Sequence, residues 1–178
     1  MTVVACVLAG GTGTRLRPTT RVINKHVIPI YDQPMIFYPA RTLLDAGITE
    51  IMVVSTAEYL GKYIELLEAE FDADFRYKVQ PEPKGIAHGV GLAEDFVGDD
   101  FVVLLGDNIF LDALPQEWFS LEEGCAKVFL KEVDDPSQFG VAVLEDGMVA
   151  SLQEKPTSPD STYAVVGAYR YTSDVFRV

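Results

Sequence analysis

A chain of 178 residues, 48% of them apolar, is long enough for one domain with a proper core and too short for two comfortable ones. Its 27 acidic against 14 basic side chains give a formal charge of −13 at pH 7, which would repel nucleic-acid phosphates over most of the surface and excludes a nucleic-acid partner. No run approaches the roughly 20 apolar residues that cross a bilayer, so no membrane role is expected. The N-terminus lacks a charged segment with a cleavage site, so the cytoplasm is the default compartment; Cys6 and Cys125 read as small core residues.

In chain order, Val3 to Val7 is a short apolar run that predicts a buried strand, followed by the loop LAGGTGTRLRPTTRVINK from Leu8 to Lys25. Val27 to Ile30 is apolar, and Pro29 keeps it out of a helix. Pro34 suits the first turn of a helix over Met35 to Gly47, with Ile36, Leu43 and Leu44 on one side, Gly47 as the stop, and Pro39 kinking or shortening it. Strands at Ile51 to Ser55, Phe75 to Val79 and Phe101 to Leu105 then alternate with helices at Ala57 to Phe71 and Gly85 to Phe96. Such alternation predicts a mostly parallel sheet covered on both faces, an α/β fold. Beyond Asp112 the pattern is β-like at Ala126 to Leu130, Gly140 to Leu144, Val149 to Leu152 and Tyr163 to Tyr171, with Glu145-Asp146-Gly147 as a hairpin turn.

The loop after the first strand carries the strongest chemical signal. Gly10, Gly11 and Gly13 are expected to turn with positive φ and approach a ligand closely, while Thr12 and Thr14 add hydroxyls beside exposed N–H groups. Arg15, Arg17, Arg21 and Lys25 follow, so an acidic chain gathers cations beside a nest of donors, which suits polyphosphate. A Walker A loop would need a lysine directly after the glycines, and a dinucleotide fingerprint would need glycine where Leu16 stands.

Ligands of open α/β sheets bind at the carboxyl ends of the strands, which places the glycine loop, Gln80 and Gly106-Asp107-Asn108 along one rim. Asp107, at the end of FVVLL, offers a carboxylate to Mg²⁺, an ion that needs only one or two protein oxygens when phosphates and water complete its shell. Gln80 carries an amide able to meet both a donor and an acceptor on a pyrimidine edge. In QEKP, Glu154 can accept from sugar hydroxyls while Lys155 takes a phosphate. Trp118, Phe139 and Tyr163 read as packing.

These blocks together resemble the sugar-1-phosphate nucleotidylyltransferases, and most closely their glucose-1-phosphate thymidylyltransferase branch. The likeness runs through NKHVIPIYDQPMIFYPARTLLDAGI, YKVQPEPKGIAHG, LLGDNIF, FGVAV, LQEKP and YAVVGAYRY, and lacks the family's C-terminal portion. It implies a three-layer Rossmann-like nucleotidyltransferase fold in one domain over 1–178, with a nucleotide-binding half at 1–112 and a β-rich sugar-phosphate half at 113–178.

The implied reaction joins dTTP or UTP to glucose 1-phosphate with Mg²⁺, releasing pyrophosphate. Arg15, Lys25 and Asp107 would be catalytic; Leu8, Gly10, Gly11, Gly13, Thr14, Arg15, Gln80, Pro83, Gly85 and Asp107 would bind the nucleotide. Lys25, Gly140, Glu154, Lys155, Val165 and Tyr169 would bind the sugar phosphate, with Gly167 beside them. Asp107 is the implied metal ligand. The family's second aspartate lies downstream of this sequence, leaving Asp112, Asp174 or a neighbouring subunit as substitutes. Related enzymes usually form homo-oligomers. His26, Lys84 and His88 depart from the branch's usual residues, which bears on the preference for deoxyribose. Another sugar or aminosugar 1-phosphate as acceptor, or a weakly catalytic binding subunit, are the alternatives.

Overall fold

The computed structural model describes residues 3–82, 84–115, 118, 120–122 and 124–177. Its central strand is β1 (Val4–Leu8), flanked in parallel by β4 (Glu50–Ser55) and β6 (Asp100–Leu105), with β5 (Asp74–Val79) beyond β4. A short hairpin, β2 (Pro29–Ile30) with β3 (Gln33–Pro34), precedes α1 (Phe37–Asp45). Helices α2 (Ala57–Glu70) and α3 (Ile86–Gly91) complete the first half.

The strand sequences are apolar on both sides because both faces are covered. Ala5, Val7, Ile51, Val53, Val102 and Leu104 pack with α1 and α2 through Ile36, Leu43, Tyr63 and Leu67. Their neighbours in sequence, Val4, Cys6, Met52, Val54, Phe101 and Val103, pack instead with Val90 and Ala93 on the α3 side. Period-two alternation therefore divides one sheet between two cores, which gives the three layers that the sequence implies.

The second half adds antiparallel strands. β10 (Tyr163–Thr172) pairs with β6 through Ala168–Thr172, while Tyr163 and Ala164 pair with β8 (Gly140–Glu145). β7 (Ala126–Glu132) runs along β10, with a register shift between Val165 and Tyr169, and β9 (Met148–Glu154) closes the edge against β8. Asp146 (φ 49°) and Gly147 (φ 79°) make the expected tight turn between β8 and β9.

Several expectations need correction. α1 runs from Phe37 to Asp45, shorter than the expected span, so Pro39 falls in its first turn, where the missing N–H has no helical partner to lose; Pro34 is in β3 instead. α3 ends at Gly91 rather than Phe96. Gly89 lies close over β1, where a Cβ would come 3.0 Å from Leu8 Cδ2, and two glycines lower helix propensity further. Trp118 packs as expected, 5% exposed and 5.2 Å from the Phe129 ring, but Phe139 and Tyr163 stay 43% and 37% exposed. No helix among the described residues is long and apolar enough to cross a membrane.

Candidate active site

Backbone bonds continue the parallel ladder past the strand ends. Ala9 N–H donates to Val54 O (2.8 Å), Gly106 N–H to Leu8 O (2.9 Å) and Gln80 N–H to Ser55 O (2.7 Å). The three loops that follow β1, β5 and β6 are thereby held at one rim, as the strand-end rule requires. They enclose a cavity of about 360 Å³ lined by Leu8, Gly10, Gly11, Thr12, Lys25, His26, Gln80, Gly85, Ile86, Gly89, Leu105 and Asp107. Of the nucleotide-site residues inferred from sequence, Leu8, Gly10, Gly11, Gln80, Gly85 and Asp107 meet here. Gly13, Thr14 and Arg15 do not line the cavity; Thr14 and Arg15 are exposed in a single 3-10 turn, Thr14–Leu16. Pro83 lies outside the described residues.

Only Gly13 of the loop's three glycines has positive φ, 61°, and its carbonyl accepts from Thr20 Oγ1 at 2.7 Å. Gly10 and Gly11 are required by space instead. A Cβ at Gly10 would run into Gln80 Oε1, and one at Gly11 would come 3.2 Å from Lys25 Cε. The glycines make room for the two side chains that face the cavity across them.

Gln80 is 6% exposed and must be bonded. Its Nε2 donates to His88 Nδ1 at 3.1 Å and to Gly85 O at 3.4 Å, so the amide is pinned with Oε1 beside Gly10. His88 is thus an orienting partner, a role that neither spacing nor composition signals. Gly85 at φ 93° takes a backbone conformation that an L side chain would strain.

Lys25 starts a one-turn 3-10 helix, Lys25–Val27, capped by the Asn24 side chain. Its ammonium is ion-paired with Asp107 Oδ2 across the cavity. Burial pushes the Asp107 carboxyl up, but the hydrogen bond and charge of Lys25 outweigh it and hold the group below the usual carboxylate range. Asp107 is accordingly an anion available to a cation. Among the described residues no three His, Cys, Asp or Glu side chains cluster as a ready metal site. Asp112 lines a separate hollow against α1 with Asp45, and Asp174 pairs with Arg177 at 2.8 Å, so neither is brought to Asp107.

His26 is 1% exposed, and its pKa is lowered to about 3, by burial first and by Lys25 second, against the pull of Asp107. In the sequence His26 stands out only as a departure from the family's usual residue and Asn24 carries no assigned role; burial of polar groups beside Lys25 becomes visible only in three dimensions.

In the second half, where the sequence places the sugar-phosphate groups, β8 and β9 bring Gly140 opposite Glu154. A Cβ at Gly140 would lie 3.5 Å from Glu154 Oε2 and 3.7 Å from Val165 Cβ, so these three share one spot. Tyr169 belongs with them: its hydroxyl pKa is raised, by burial first and by the Glu154 charge second. Lys155, at φ 43°, donates its N–H to Phe139 O at 3.0 Å, and its ammonium pairs with Glu154. Asn108, next to Asp107, accepts from Gly167 N–H at 3.2 Å and ties this side to the rim.

A glycine loop, a pinned amide and a paired lysine and aspartate at the carboxyl ends of a parallel sheet define a phosphate-handling α/β domain. The chain belongs to the nucleotidyl transferase family, which it matches over residues 4–178. It is 40% identical over 93% of its length to the glucose-1-phosphate thymidylyltransferase of Neisseria meningitidis, covering 60% of that protein. It is also 40% identical, over 96% of its length, to a low-salt glycan biosynthesis nucleotidyltransferase of Haloferax volcanii, covering 49% of it. Among solved structures, a Bacillus anthracis protein described as a glucose-1-phosphate thymidylyltransferase, in complex with sucrose, superimposes with TM-score 0.92 at 44% identity. That match covers 98% of this chain and 73% of the other. A UDP-glucose pyrophosphorylase complexed with UDP-glucose follows at TM-score 0.80 and 27% identity, over 98% and 78% of the two chains. The chain spans about 60% of the length of the glucose-1-phosphate thymidylyltransferases it matches.

Proposed function

We propose that the domain transfers a nucleotidyl group from dTTP, or UTP, to glucose 1-phosphate in the cytoplasm, giving a nucleotide sugar and pyrophosphate. The observation that carries this reading is the Lys25–Asp107 pair set across the glycine loop in the cavity that holds Gln80. A phosphate oxygen of the sugar phosphate attacks the α-phosphorus in line; the new P–O bond forms as the α–β bridge breaks, and pyrophosphate leaves. The protein's work in such a displacement is to place two anions and neutralise the charge between them.

Lys25 sits where its ammonium can move from Asp107 onto a phosphate oxygen. Gln80 Oε1 meets the N–H of a pyrimidine base, and Gly10 leaves the space for that approach. Glu154 accepts from sugar hydroxyls, with the Tyr169 hydroxyl able to accept or donate beside it, while Lys155 takes the 1-phosphate. Residues 1–112 thus serve the nucleotide and 113–178 the sugar phosphate. A single ionised carboxylate fits Mg²⁺ that is shared with phosphate: Asp107 would hold the ion, which would neutralise charge on the triphosphate. Arg15, outside the cavity, reaches the triphosphate by a movement of the 14–16 turn. A homo-oligomer is the assembly this reading takes, with light scattering as its check.

The test is pyrophosphate release from dTTP, UTP, ATP and GTP with glucose 1-phosphate and Mg²⁺, in wild type and Asp107→Asn. The expected result is turnover with the pyrimidines and a loss of roughly 10²- to 10³-fold in the variant. Equal use of ATP and dTTP would remove the role of Gln80; nucleotide binding without any turnover would favour a binding subunit.

A further inference from the structure

Lys25 stands between two of the most enclosed polar side chains described, Asn24 at 4% and His26 at 1% exposure. Buried polar groups cost free energy unless bonded, and these two satisfy each other. Asn24 Oδ1 accepts from the His26 backbone N–H at 2.8 Å. A backbone N–H can only donate, so the atom it meets is the amide oxygen. His26 Nδ1 lies 2.8 Å from that same oxygen, and therefore carries the ring proton; Nε2 is left as the lone pair. Tyr63 on α2 is fully buried, donates to Asn24 Oδ1 at 2.7 Å and stands 3.1 Å from His26 Nδ1. Its hydroxyl is also 3.3 Å from the carbonyl of Ala9, where the glycine loop begins. The far edge of the imidazole rests on Gly106: a Cβ there would be 2.8 Å from His26 Cδ2. One ring thus bears on the lysine's own turn, on α2 and on the backbone immediately before Asp107.

We propose that His26, held in one tautomer by Asn24 and Tyr63, is a positioning residue that sets the Lys25 ammonium against Asp107 and hence against the reacting phosphates. The inference rests on the nucleotidyl-transfer reading above. Lysine has a long flexible stem and a point charge, so its precision comes from its anchor. Here the anchor is fixed on both sides by Asn24 and His26, and the stem lies along the loop, with a Gly13 Cβ position only 3.1 Å from Lys25 Cβ. A displacement of about 1 Å in such a group is enough to cost up to 10²-fold in rate. His26 fills the gap between the two loops without adding charge beside the lysine, because burial and Lys25 itself keep it neutral.

His26→Leu keeps bulk alone, whereas His26→Gln keeps a carboxamide that can donate at one end and accept at the other. With dTTP, glucose 1-phosphate and Mg²⁺, His26→Leu is expected to lose about tenfold or more in kcat with the KM for dTTP within about twofold, and His26→Gln to recover most of it. Tyr63→Phe, which removes one donor, falls between. A merely structural role would lower Tm while leaving kcat per folded molecule intact. The second readout is the ¹³Cε resonance of Lys25, assigned with Lys25→Arg. It should stand apart from the other lysines in wild type and move toward them in His26→Leu, with the amide spectrum still that of a folded protein. Wild-type kcat together with an unmoved Lys25 resonance in His26→Leu would overturn the proposal. If wild type itself shows no turnover, the nucleotidyl-transfer reading fails, and the lysine resonance still decides whether His26 sets Lys25.

Discussion

Residues of β1, β4 and β6 such as Ala5, Cys6, Ile51, Val54, Phe101 and Leu104 have essentially no exposed surface, while β9 at the opposite edge leaves Met148, Val149 and Leu152 between 40% and 68% exposed. The same contrast runs through the candidate binding groups. Gln80 and His26 are buried and each pinned by two partners, whereas Glu154 and Lys155 are 74% and 51% exposed in their side chains and paired mainly with each other. On the proposed reading, a base edge and phosphates are met by groups whose positions are fixed before the ligand arrives. Hydroxyls of a sugar can be met by side chains that settle on contact, at the entropic cost of ordering them. The difference teaches where mutations will be expensive and where they will be felt only by the substrate.

Leu104→Ala, deep between β1 and β10, should show the largest effect, about 2–5 kcal/mol lost in a denaturant titration, since the cavity cannot collapse between two packed layers. Lys25→Ala should lower kcat per folded molecule by roughly 10²- to 10³-fold, because it removes an aimed charge, beyond whatever fall in Tm follows from unpairing Asp107 and emptying the space its stem fills. Gly10→Ala should weaken dTTP binding by about 1–3 kcal/mol in calorimetry with little loss of fold, because the new methyl displaces the Gln80 oxygen.

Acid should also discriminate the halves. His26 takes up a proton near its ordinary 6.5 when unfolded but only at about 3 when folded, so the unfolded state binds more protons between those values. Stability from this group is complete above about pH 6.5 and drains as pH falls, by up to about 1.4 kcal/mol per unit. His26→Gln should flatten that part of the pH–stability curve; an unchanged slope would show the proton goes elsewhere. Leu152→Ser on β9 should do least, within about 0.5 kcal/mol.

Sequence periodicity located the strands of the buried half to within a residue or so at each end, because a parallel sheet covered on both faces writes itself as continuous apolar runs. The helix expected over Ala57–Phe71 is also found, as α2 (Ala57–Glu70), whereas α3 is much shorter than its pattern implies. Glycines at 89 and 91 shorten α3 because Gly89 must lie on Leu8, a contact distant in sequence. The glycine loop was legible as a cavity-lining turn after β1, but positive φ is found at Gly13 alone, and Gly10 and Gly11 instead face Gln80 and Lys25, which only folding brings to them. For the same reason the bonding roles of His88 and Asn24 carried no signal, although His88 stands out as a departure from the family's usual residue, since an imidazole or amide gains meaning from what it bonds. Arg15 shows the converse, a residue whose motif is clear and whose exposed turn lies outside the cavity.

β10 changes partners along its length, meeting β6 with one end and β8 with the other, and Gly167 marks the changeover. A side chain there would collide with Leu105, whose Cγ would lie 2.6 Å from the added carbon, and the Gly167 N–H is instead held by Asn108, the residue after Asp107. The strand that carries Val165 and Tyr169 is therefore stitched to the strand that aims Asp107. The groups around Gly140 and Glu154 and those around Asp107 are thus joined through one hydrogen-bonded seam. Under the proposed function a change at Gly167 would therefore be felt on both sides at once, as a cracked keystone loads both flanks of an arch.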